Sequence, residues 1–212
     1  MCILGKAILN ILLTVHVHSV IINYIIKKER KEINMKKIPT IYKRNPENMR
    51  ELLDEMHPLC EWVFSGEGMA TRKYDGTCCM IKDGFFYKRR EIKKGQTVPE
   101  GFIKETQDAI TNKTTGWVPV DFNDNANKFH VEGFNNLENK ENGTYELCGP
   151  RIQKNPEGHS KHVLISHKKA EVIKVGRTKQ AIYEFLKNTV YEGIVFHHPD
   201  GRMAKIKKKD IK

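Results

Sequence analysis

The sequence predicts an α+β fold built mostly from antiparallel strands. Two Asp-Gly turn signals, Asp83-Gly84 and Asp200-Gly201, each lie between short runs rich in β-branched and aromatic residues. This pattern is typical of β-hairpins. A third segment, residues 178–188, shows the apolar spacing of an amphipathic helix. The chain has 212 residues, which is long enough to bury a sizeable core.

A first helix is predicted at residues 45–57. Asn45 is a favourable N-cap and Pro46 suits the first helical position. We interpret this helix as packing rather than as part of a functional site. Its predicted buried face consists of Met49, Leu52, Leu53 and Met56.

Strands are predicted from Ala70 onwards, and they place Lys73 in a loop just before the first hairpin. Trp117 is predicted to lie in the core, and the polar segment 123–142 to form a mobile loop. Thr178 is predicted to cap the second helix. In chain order, the predicted elements are strands 77–81, 85–89, 116–120, 145–148 and 163–166, the helix 178–188, and strands 193–197 and 202–207.

The chain is strongly basic, with 37 Lys and Arg against 26 Asp and Glu and a net charge of +11. Such a surface favours a polyanionic partner, of which nucleic acid is the commonest. A merely solvated lysine-rich surface is the alternative.

The five cysteines lack the Cys-x-x-Cys spacing of a zinc ribbon and indicate reduced thiols in a cytoplasmic protein. We interpret the pair Cys78-Cys79 as strand packing.

Residues 1–34 form an apolar leader that fits poorly with a membrane span. The apolar run is interrupted by Lys6, Asn10, His16, His18 and Asn23, and each of these residues is costly inside a bilayer. A domain of residues 35–212 is therefore expected, with Met35 as the natural start and the leader as an upstream-start artefact. A membrane anchor is the alternative. A chain that begins at Met35 is expected to be as active as the full chain.

Four short motifs follow one another along the chain. They are Lys73-Tyr74-Asp75-Gly76, Tyr145-Glu146-Leu147-Cys148-Gly149, Glu192-Gly193-Ile194-Val195 and Lys205-Ile206-Lys207. Their order resembles motifs I, III, IV and V of the covalent nucleotidyltransferases, which include polynucleotide ligases and mRNA-capping enzymes. The resemblance covers about residues 73–207, and it implies a nucleotidyltransferase (adenylation) domain of antiparallel sheets with flanking helices.

The resemblance is narrower when the flanking residues are included. The segments are Lys73-Tyr74-Asp75-Gly76-Thr77-Cys78-Cys79, Gly116-Trp117-Val118-Pro119-Val120 and Asp200-Gly201 with Lys205. They are similar to the small 5′–3′ RNA ligase family of animals and some viruses, which also shares the 13-residue spacing from Glu192 to Lys205. Only five residues follow Lys207, so no OB-fold is expected after it. This expectation favours an RNA ligase over a DNA ligase or a capping enzyme, and it also permits a partial or regulated enzyme.

This resemblance implies an ATP-dependent RNA ligase that seals 5′-phosphate and 3′-hydroxyl RNA ends in RNA repair. It implies a lysyl-AMP intermediate and Mg²⁺ or Mn²⁺ as the cofactor. We expect a cytoplasmic monomer that does not bind membranes. An mRNA-capping-type guanylyltransferase and a non-catalytic RNA-binding protein of the same fold are the alternatives.

The resemblance also assigns roles to single residues. Lys73 is the nucleophile, Asp75 and Gly76 form the turn that holds it, and Lys205 and Lys207 contact the α-phosphate. The remaining assignments are Glu192 as a metal ligand through water, Glu146 near the ribose or the metal, and Arg89, or else Arg90, on the nucleotide or the RNA 5′-phosphate. No aromatic residue in 162–167 stands where the family's base-stacking residue is expected.

The second hairpin has a predicted geometry of its own. If Asp200-Gly201 is a two-residue turn, Phe196 faces Lys205, Ile194 faces Lys207 and Glu192 faces Lys209. One sheet face then carries Glu192, Lys205 and Lys207 beside two apolar residues, which suits a metal-bound triphosphate. An exposed ion-pair face is the alternative. An ordinary lysine has a pKa of about 10.4 and is protonated at neutral pH, whereas a nucleophile must be neutral. Nearby cations would lower the pKa of Lys73 and so help it to lose its proton.

Overall fold

A computed structural model describes residues 38–108 and 111–211. Within these ranges the chain contains eleven strands and three α-helices, and every pairing between the strands is antiparallel. The predicted α+β class with mostly antiparallel sheet is therefore confirmed. The expectations for residues 1–34 fall outside the described residues. In the described part of the chain, no helix has the length and apolarity needed to cross a membrane.

The strands outnumber the α-helices, and all of these elements are short. In chain order, the strands are β1 (Tyr42–Arg44), β2 (Leu52–Met56), β3 (Met69–Lys73), β4 (Thr77–Lys82), β5 (Phe85–Ile92), β6 (Ile103–Gln107), β7 (Thr114–Pro119), β8 (Gly143–Cys148), β9 (Val163–Ser166), β10 (Gly193–His197) and β11 (Met203–Lys207). The α-helices are α1 (Glu61–Phe64), α2 (Lys128–Asn135) and α3 (Lys179–Lys187).

Two sheets build most of the domain. One has three strands in the order β11-β10-β3, and the other has six strands in the order β6-β7-β5-β4-β8-β9. Strands β3 and β4 are consecutive in the chain but belong to different sheets. The short segment 74–76 that joins them therefore crosses from one sheet to the other, directly after Lys73.

Each of these sheets has its own apolar core. Ile194 and Phe196 of β10 pack with Ile182 and Leu186 of α3 in one cluster of fully buried side chains. The six-stranded sheet buries another cluster, which includes Leu147 of β8 and is flanked by residues of α2. The alternation along each strand leaves the opposite face free for polar residues.

Several predicted elements are confirmed with small shifts of their ends. Asp83 and Gly84 form the turn of the first hairpin, with positive φ angles of 52° and 80°. Thr178 caps α3 by accepting a hydrogen bond of 3.2 Å from the Ala181 N–H. Trp117 is 2% exposed, as predicted for a core residue. Strands β7, β8 and β9 overlap the predicted strands.

The helix predicted at residues 45–57 is wrong. The segment forms a turn and then strand β2, which pairs with β1. The Asn45 and Asn48 side chains accept hydrogen bonds from the N–H groups two residues further on, and such local bonds compete with helix formation. The predicted buried face is not formed, since Met49 is 63% exposed and Met56 is 50% exposed.

The mobile loop predicted at 123–142 is also wrong, because this segment contains α2. Asp124 accepts a hydrogen bond of 2.9 Å from the Ala126 N–H and starts a 3₁₀ turn that leads into the helix. Phe134 packs on Phe86, with 4.9 Å between the ring centroids. The apolar spacing of Val131 and Phe134 was the available signal, and the many polar residues around it obscured the pattern.

The register of the second hairpin differs by one residue from the predicted register. Residues 198–202 form the connection instead of a two-residue turn, so Val195 pairs with Lys205 and Gly193 pairs with Lys207. Ile194 and Phe196 are fully buried and lie opposite Ile206 and Ala204. The prediction that they share a face with the two lysines is therefore wrong. A one-residue shift in register moves the side chains of one strand to the other face of the sheet. It therefore places the two apolar side chains on one face and the two lysines on the other.

Candidate functional site

Lys73 is the last residue of β3, and the prediction that it lies in a loop is wrong. It pairs with Gly193 of β10, which in turn pairs with Lys207 of β11. Directly opposed residues share a sheet face, so the two lysines lie on one face with a glycine between them. The three-stranded sheet thus fixes the positions of both lysines on the same side.

The carboxylate of Glu192 joins these two lysines. Its Oε2 forms an ion pair with Lys73 Nζ, and its Oε1 accepts from Lys207 Nζ at 2.5 Å. The Glu192 side chain is only 13% exposed. Burial raises the pKa of Glu192, but the two lysines outweigh burial and hold the pKa below its ordinary value. Glu192 is therefore a carboxylate at neutral pH that keeps the Lys73 amine in place.

Lys205 adds a third cation on the same face of β11, two residues before Lys207. Burial, followed by the charges of Lys207 and Lys73, lowers the pKa of Lys205 to about 8. Its ammonium group has no hydrogen bond or ion pair with any residue in the two described ranges. The site therefore holds more positive charge than its carboxylates balance, and an anion bound there would supply the difference.

The segment after Lys73 is held by two glutamates, Glu146 of β8 and Glu157 of the irregular segment that follows β8. The Gly76 N–H donates to Glu146 Oε1 at 3.2 Å, and the Asp75 N–H donates to Glu157 Oε1 at 2.9 Å. An ideal Cβ on Gly76 would lie 2.2 Å from the Leu147 carbonyl oxygen. Only glycine permits this close approach, which agrees with the predicted tight turn. Burial and the charge of Glu192 raise the pKa of Asp75.

Glu157 is a site residue that the sequence motifs did not reveal. Its side chain is 3% exposed and forms an ion pair with Arg72, the residue before Lys73. The Arg72 guanidinium also lies over the ring of Tyr74 at 4.7 Å and over that of Tyr191 at 4.3 Å. Glu157 therefore holds Arg72 before Lys73 and the backbone of Asp75 after it. It lies in an irregular polar segment with no motif around it, so the sequence offered no signal for it.

A cavity of about 610 Å³ opens at these residues. It brings together most of the residues predicted for nucleotide binding, whereas Lys205, Glu146 and Arg89 do not contribute to its described lining. Gln153, Tyr191, Lys208 and Lys209 are additional lining residues without a predicted role. The lining consists of Lys73, Asp75, Gly76, Gln153, Tyr191, Glu192, Lys207, Lys208 and Lys209.

Arg89 lies on β5, away from the cavity lining. Its guanidinium forms an ion pair of 2.7 Å with Glu105 and lies 5.0 Å over the ring of Trp117. Burial raises the pKa of the Cys78 thiol to about 12, and the charges of Arg89 and Lys73 oppose this shift. Arg90 is exposed. The sheet therefore places Arg89 rather than Arg90 toward the partly buried face, and its contact with a nucleotide or RNA stays a prediction.

The segment 162–167 supplies histidines where an aromatic residue was sought. His162 is buried, bonds Glu132 at 2.8 Å and stacks on Phe129 with 4.6 Å between the rings. His167 bonds Glu146 Oε2 at 3.0 Å. His162 serves the core next to α2, whereas His167 fixes a predicted site carboxylate. Neither set of contacts identifies its ring as the base-stacking group.

Replacing Lys205 by methionine is expected to stabilise the folded protein. Its pKa of about 8 lies below the ordinary 10.5, so below pH 8 the folded protein carries a charge in an unfavourable place. Methionine keeps the aliphatic packing and removes that charge, which should raise the free energy of unfolding at pH 7 by about 1–3 kcal/mol. Urea unfolding measures this change, with Lys94→Met on an exposed loop as the matched control.

The pH dependence of stability gives an independent check on Lys205. Between pH 8 and 10.5 the unfolded chain binds more protons at this residue than the folded chain does. Wild-type stability should therefore gain a contribution from Lys205 as pH rises through this window, and Lys205→Met should lack that contribution. A variant less stable than wild type at pH 7 would contradict the assignment of Lys205 as a strained cation.

The site combines an amine, two carboxylates and further ammonium groups around one cavity. This set of groups can bind a polyanion and can present the Lys73 amine to an electrophile at the cavity wall. In comparisons with known proteins, no family model matches the sequence and no curated protein matches it either.

Proposed function

We propose that this chain is an ATP-dependent RNA ligase of the covalent nucleotidyltransferase type. The observation that carries the proposal is the Lys73 amine on the cavity wall, held by a carboxylate that also holds Lys207. A lysine at the end of a strand, inside a cavity and next to other cations, is arranged as a nucleophile for a phosphate ester. The motif order supports the same function.

In the first step, Lys73 Nζ attacks the α-phosphorus of ATP. The N–P bond forms, the bond from phosphorus to the pyrophosphate oxygen breaks, and pyrophosphate leaves with the electron pair of that bond. The Lys73 ammonium group must lose two protons. The first passes to water before the attack, and the second, made acidic as the N–P bond forms, passes to Glu192 Oε2, which is already in contact with Nζ. Glu192 therefore both orients the amine and receives a proton from it.

Charge on the transferred phosphate is stabilised by the remaining lysines. Lys207 lines the cavity, and Lys205 lies on the same strand face with a destabilised charge. An α-phosphate next to them would supply the anion that both lysines favour. The carboxylates of Glu192 and Asp75 are hard oxygen donors that could hold Mg²⁺ or Mn²⁺, and such an ion would supply positive charge for the leaving pyrophosphate.

The two RNA steps act on different phosphorus atoms, first that of the lysyl-AMP and then that of the RNA 5′-phosphate. A 5′-phosphate oxygen of RNA attacks the lysyl-AMP phosphorus, the N–P bond breaks, and the amine is protonated again. The 3′-hydroxyl then attacks the RNA 5′-phosphorus and AMP leaves. The net charge of +11 favours binding of the RNA backbone, and Lys208 and Lys209 add two further lysines to the cavity lining.

Incubation with ATP and Mg²⁺ tests the proposal. Intact-mass measurement is expected to show one added AMP, and a 5′-labelled nicked RNA is expected to become resistant to phosphatase. An adduct with GTP but not with ATP would support the capping-type guanylyltransferase instead. The absence of any adduct, together with retained RNA binding, would overturn the proposal in favour of a non-catalytic RNA-binding protein.

A further inference from the structure

Three side chains with different donor atoms lie close together on the six-stranded sheet, next to the segment 74–76 that follows Lys73. Cys78 of β4 and Glu146 of β8 are directly opposed in the register, so both lie on one face. His167 directly follows β9, the neighbour of β8. The sulfur, the carboxylate oxygen and the imidazole nitrogen all lie within 4.8 Å of one another.

Surrounding hydrogen bonds already hold these donors in place. His167 Nδ1 bonds the Thr144 hydroxyl at 3.0 Å, which leaves Nε2 directed at Glu146 Oε2, also at 3.0 Å. Glu146 Oε1 is occupied by the Gly76 N–H. Nε2 and Oε2 are therefore the atoms available to a metal ion, which would replace the hydrogen bond between them. Metal-binding histidines are commonly oriented in this way, through a bond on the other ring nitrogen.

We propose that Cys78, Glu146 and His167 form a binding site for Zn²⁺ or a similar borderline divalent ion. A sulfur, nitrogen and oxygen donor set is typical of zinc and foreign to Mg²⁺, which binds oxygen. Tetrahedral zinc bonds of about 2.0–2.3 Å place ligand atoms roughly 3.3–3.8 Å apart. Small side-chain rotations suffice to bring the three donors to these separations.

The site differs from the place proposed for Mg²⁺. Three protein ligands leave a fourth tetrahedral position for water, and the two side chains in contact, Glu146 and His167, are only 12% and 22% exposed. The ion would tie β4, β8 and the end of β9 together. It would also leave the Glu146 bond to Gly76 intact, since that bond uses the other carboxylate oxygen.

Cobalt substitution in the full chain tests this site directly, without reference to nucleotide transfer. Co²⁺ is expected to give the charge-transfer absorption of a cobalt–thiolate bond, and Zn²⁺ is expected to displace it. Cys78→Ala should abolish the band. Cys79→Ala is the matched control, because Cys79 is the adjacent residue but lies in the opposite, fully buried core, and it should keep the band.

A second variant separates ligation from folding. His167→Gln removes one donor from a partly exposed position and should weaken Zn²⁺ binding by about 100-fold, measured by competition with a chelating dye. Zn²⁺ should also raise the melting temperature of wild type but not that of the two ligand variants. The proposal is overturned if the thiolate band survives Cys78→Ala, or if wild type binds Zn²⁺ no more tightly than His167→Gln. Adduct formation with ATP has no bearing on either outcome.

Discussion

Lys73→Ala is expected to abolish the covalent nucleotide adduct completely. Lys73 is the lysine that both contacts Glu192 and lies just before the tight Gly76 turn, so its amine is the one proposed to attack the α-phosphorus. Intact-mass measurement after incubation with ATP and Mg²⁺ should show one added AMP on wild type and none on the variant. A complete loss is expected because the substitution removes the proposed nucleophile itself rather than weakening an interaction.

Lys73→Arg is the informative partner of this variant. Arginine keeps a cation for the ion pair with Glu192 but cannot act as a nucleophile, since its guanidinium does not lose a proton in proteins. It should stay as stable as wild type and form no adduct. Lys94→Ala, on an exposed loop, should form the adduct at the wild-type rate. An adduct that persists in Lys73→Ala would show that another residue is the nucleophile.

Glu192→Gln is expected to lower the rate of adduct formation by about 100-fold or more. The change removes the carboxylate that orients Lys73 and accepts its proton, but it preserves the shape of the side chain. Single-turnover formation of the adduct measures this effect, since it isolates the first step. Glu184→Gln on the exposed side of α3 is a suitable control. An unchanged rate in Glu192→Gln would exclude both roles proposed for this residue.

Glu192→Gln should also destabilise the folded protein, whereas Lys205→Met should stabilise it. Lys73 and Lys207 then lose their common carboxylate, and the free energy of unfolding should fall by about 1–3 kcal/mol at pH 7. The folded pKa of Glu192 lies below its ordinary 4.5, so its contribution is present above pH 4.5 and is lost as pH falls through the folded pKa. In the Glu192→Gln variant, the free energy of unfolding should therefore fall less as the pH is lowered below 4.5 than it does in wild type.

The parts of the fold that were predicted correctly carry strong local signals in the sequence. Asp83-Gly84 requires positive φ angles, and Thr178 has the side chain that caps a helix. The errors arise where two local signals compete. Asn45 followed by Pro46 is equally suited to a helix start and to a turn, and the side-chain bond to Glu47 N decides for the turn. The turn is also favoured by the pairing of β2 with β1, a contact between strands that the local sequence does not report.

The candidate site was predicted in part for a similar reason. Lys73, Glu192 and Lys207 belong to short motifs, and the structure brings them into contact. The register of the second hairpin depended on loop length, because residues 198–202 connect the strands where a two-residue turn was assumed. Glu157 and Tyr191 act through contacts with Arg72. No local pattern in the sequence reports such long-range contacts.

The order in which the chain is synthesised has a consequence for the Lys73 site. Lys73 ends β3, and its carboxylate partner Glu192 lies 119 residues further along the chain, directly before β10. A nascent chain that has emerged only as far as α3 therefore carries β3 without its neighbour and Lys73 without its carboxylate. Such non-local pairings form late. The contact between Lys73 and Glu192 is formed only when β10 and β11 have been made, and an incompletely translated chain would expose an aggregation-prone edge.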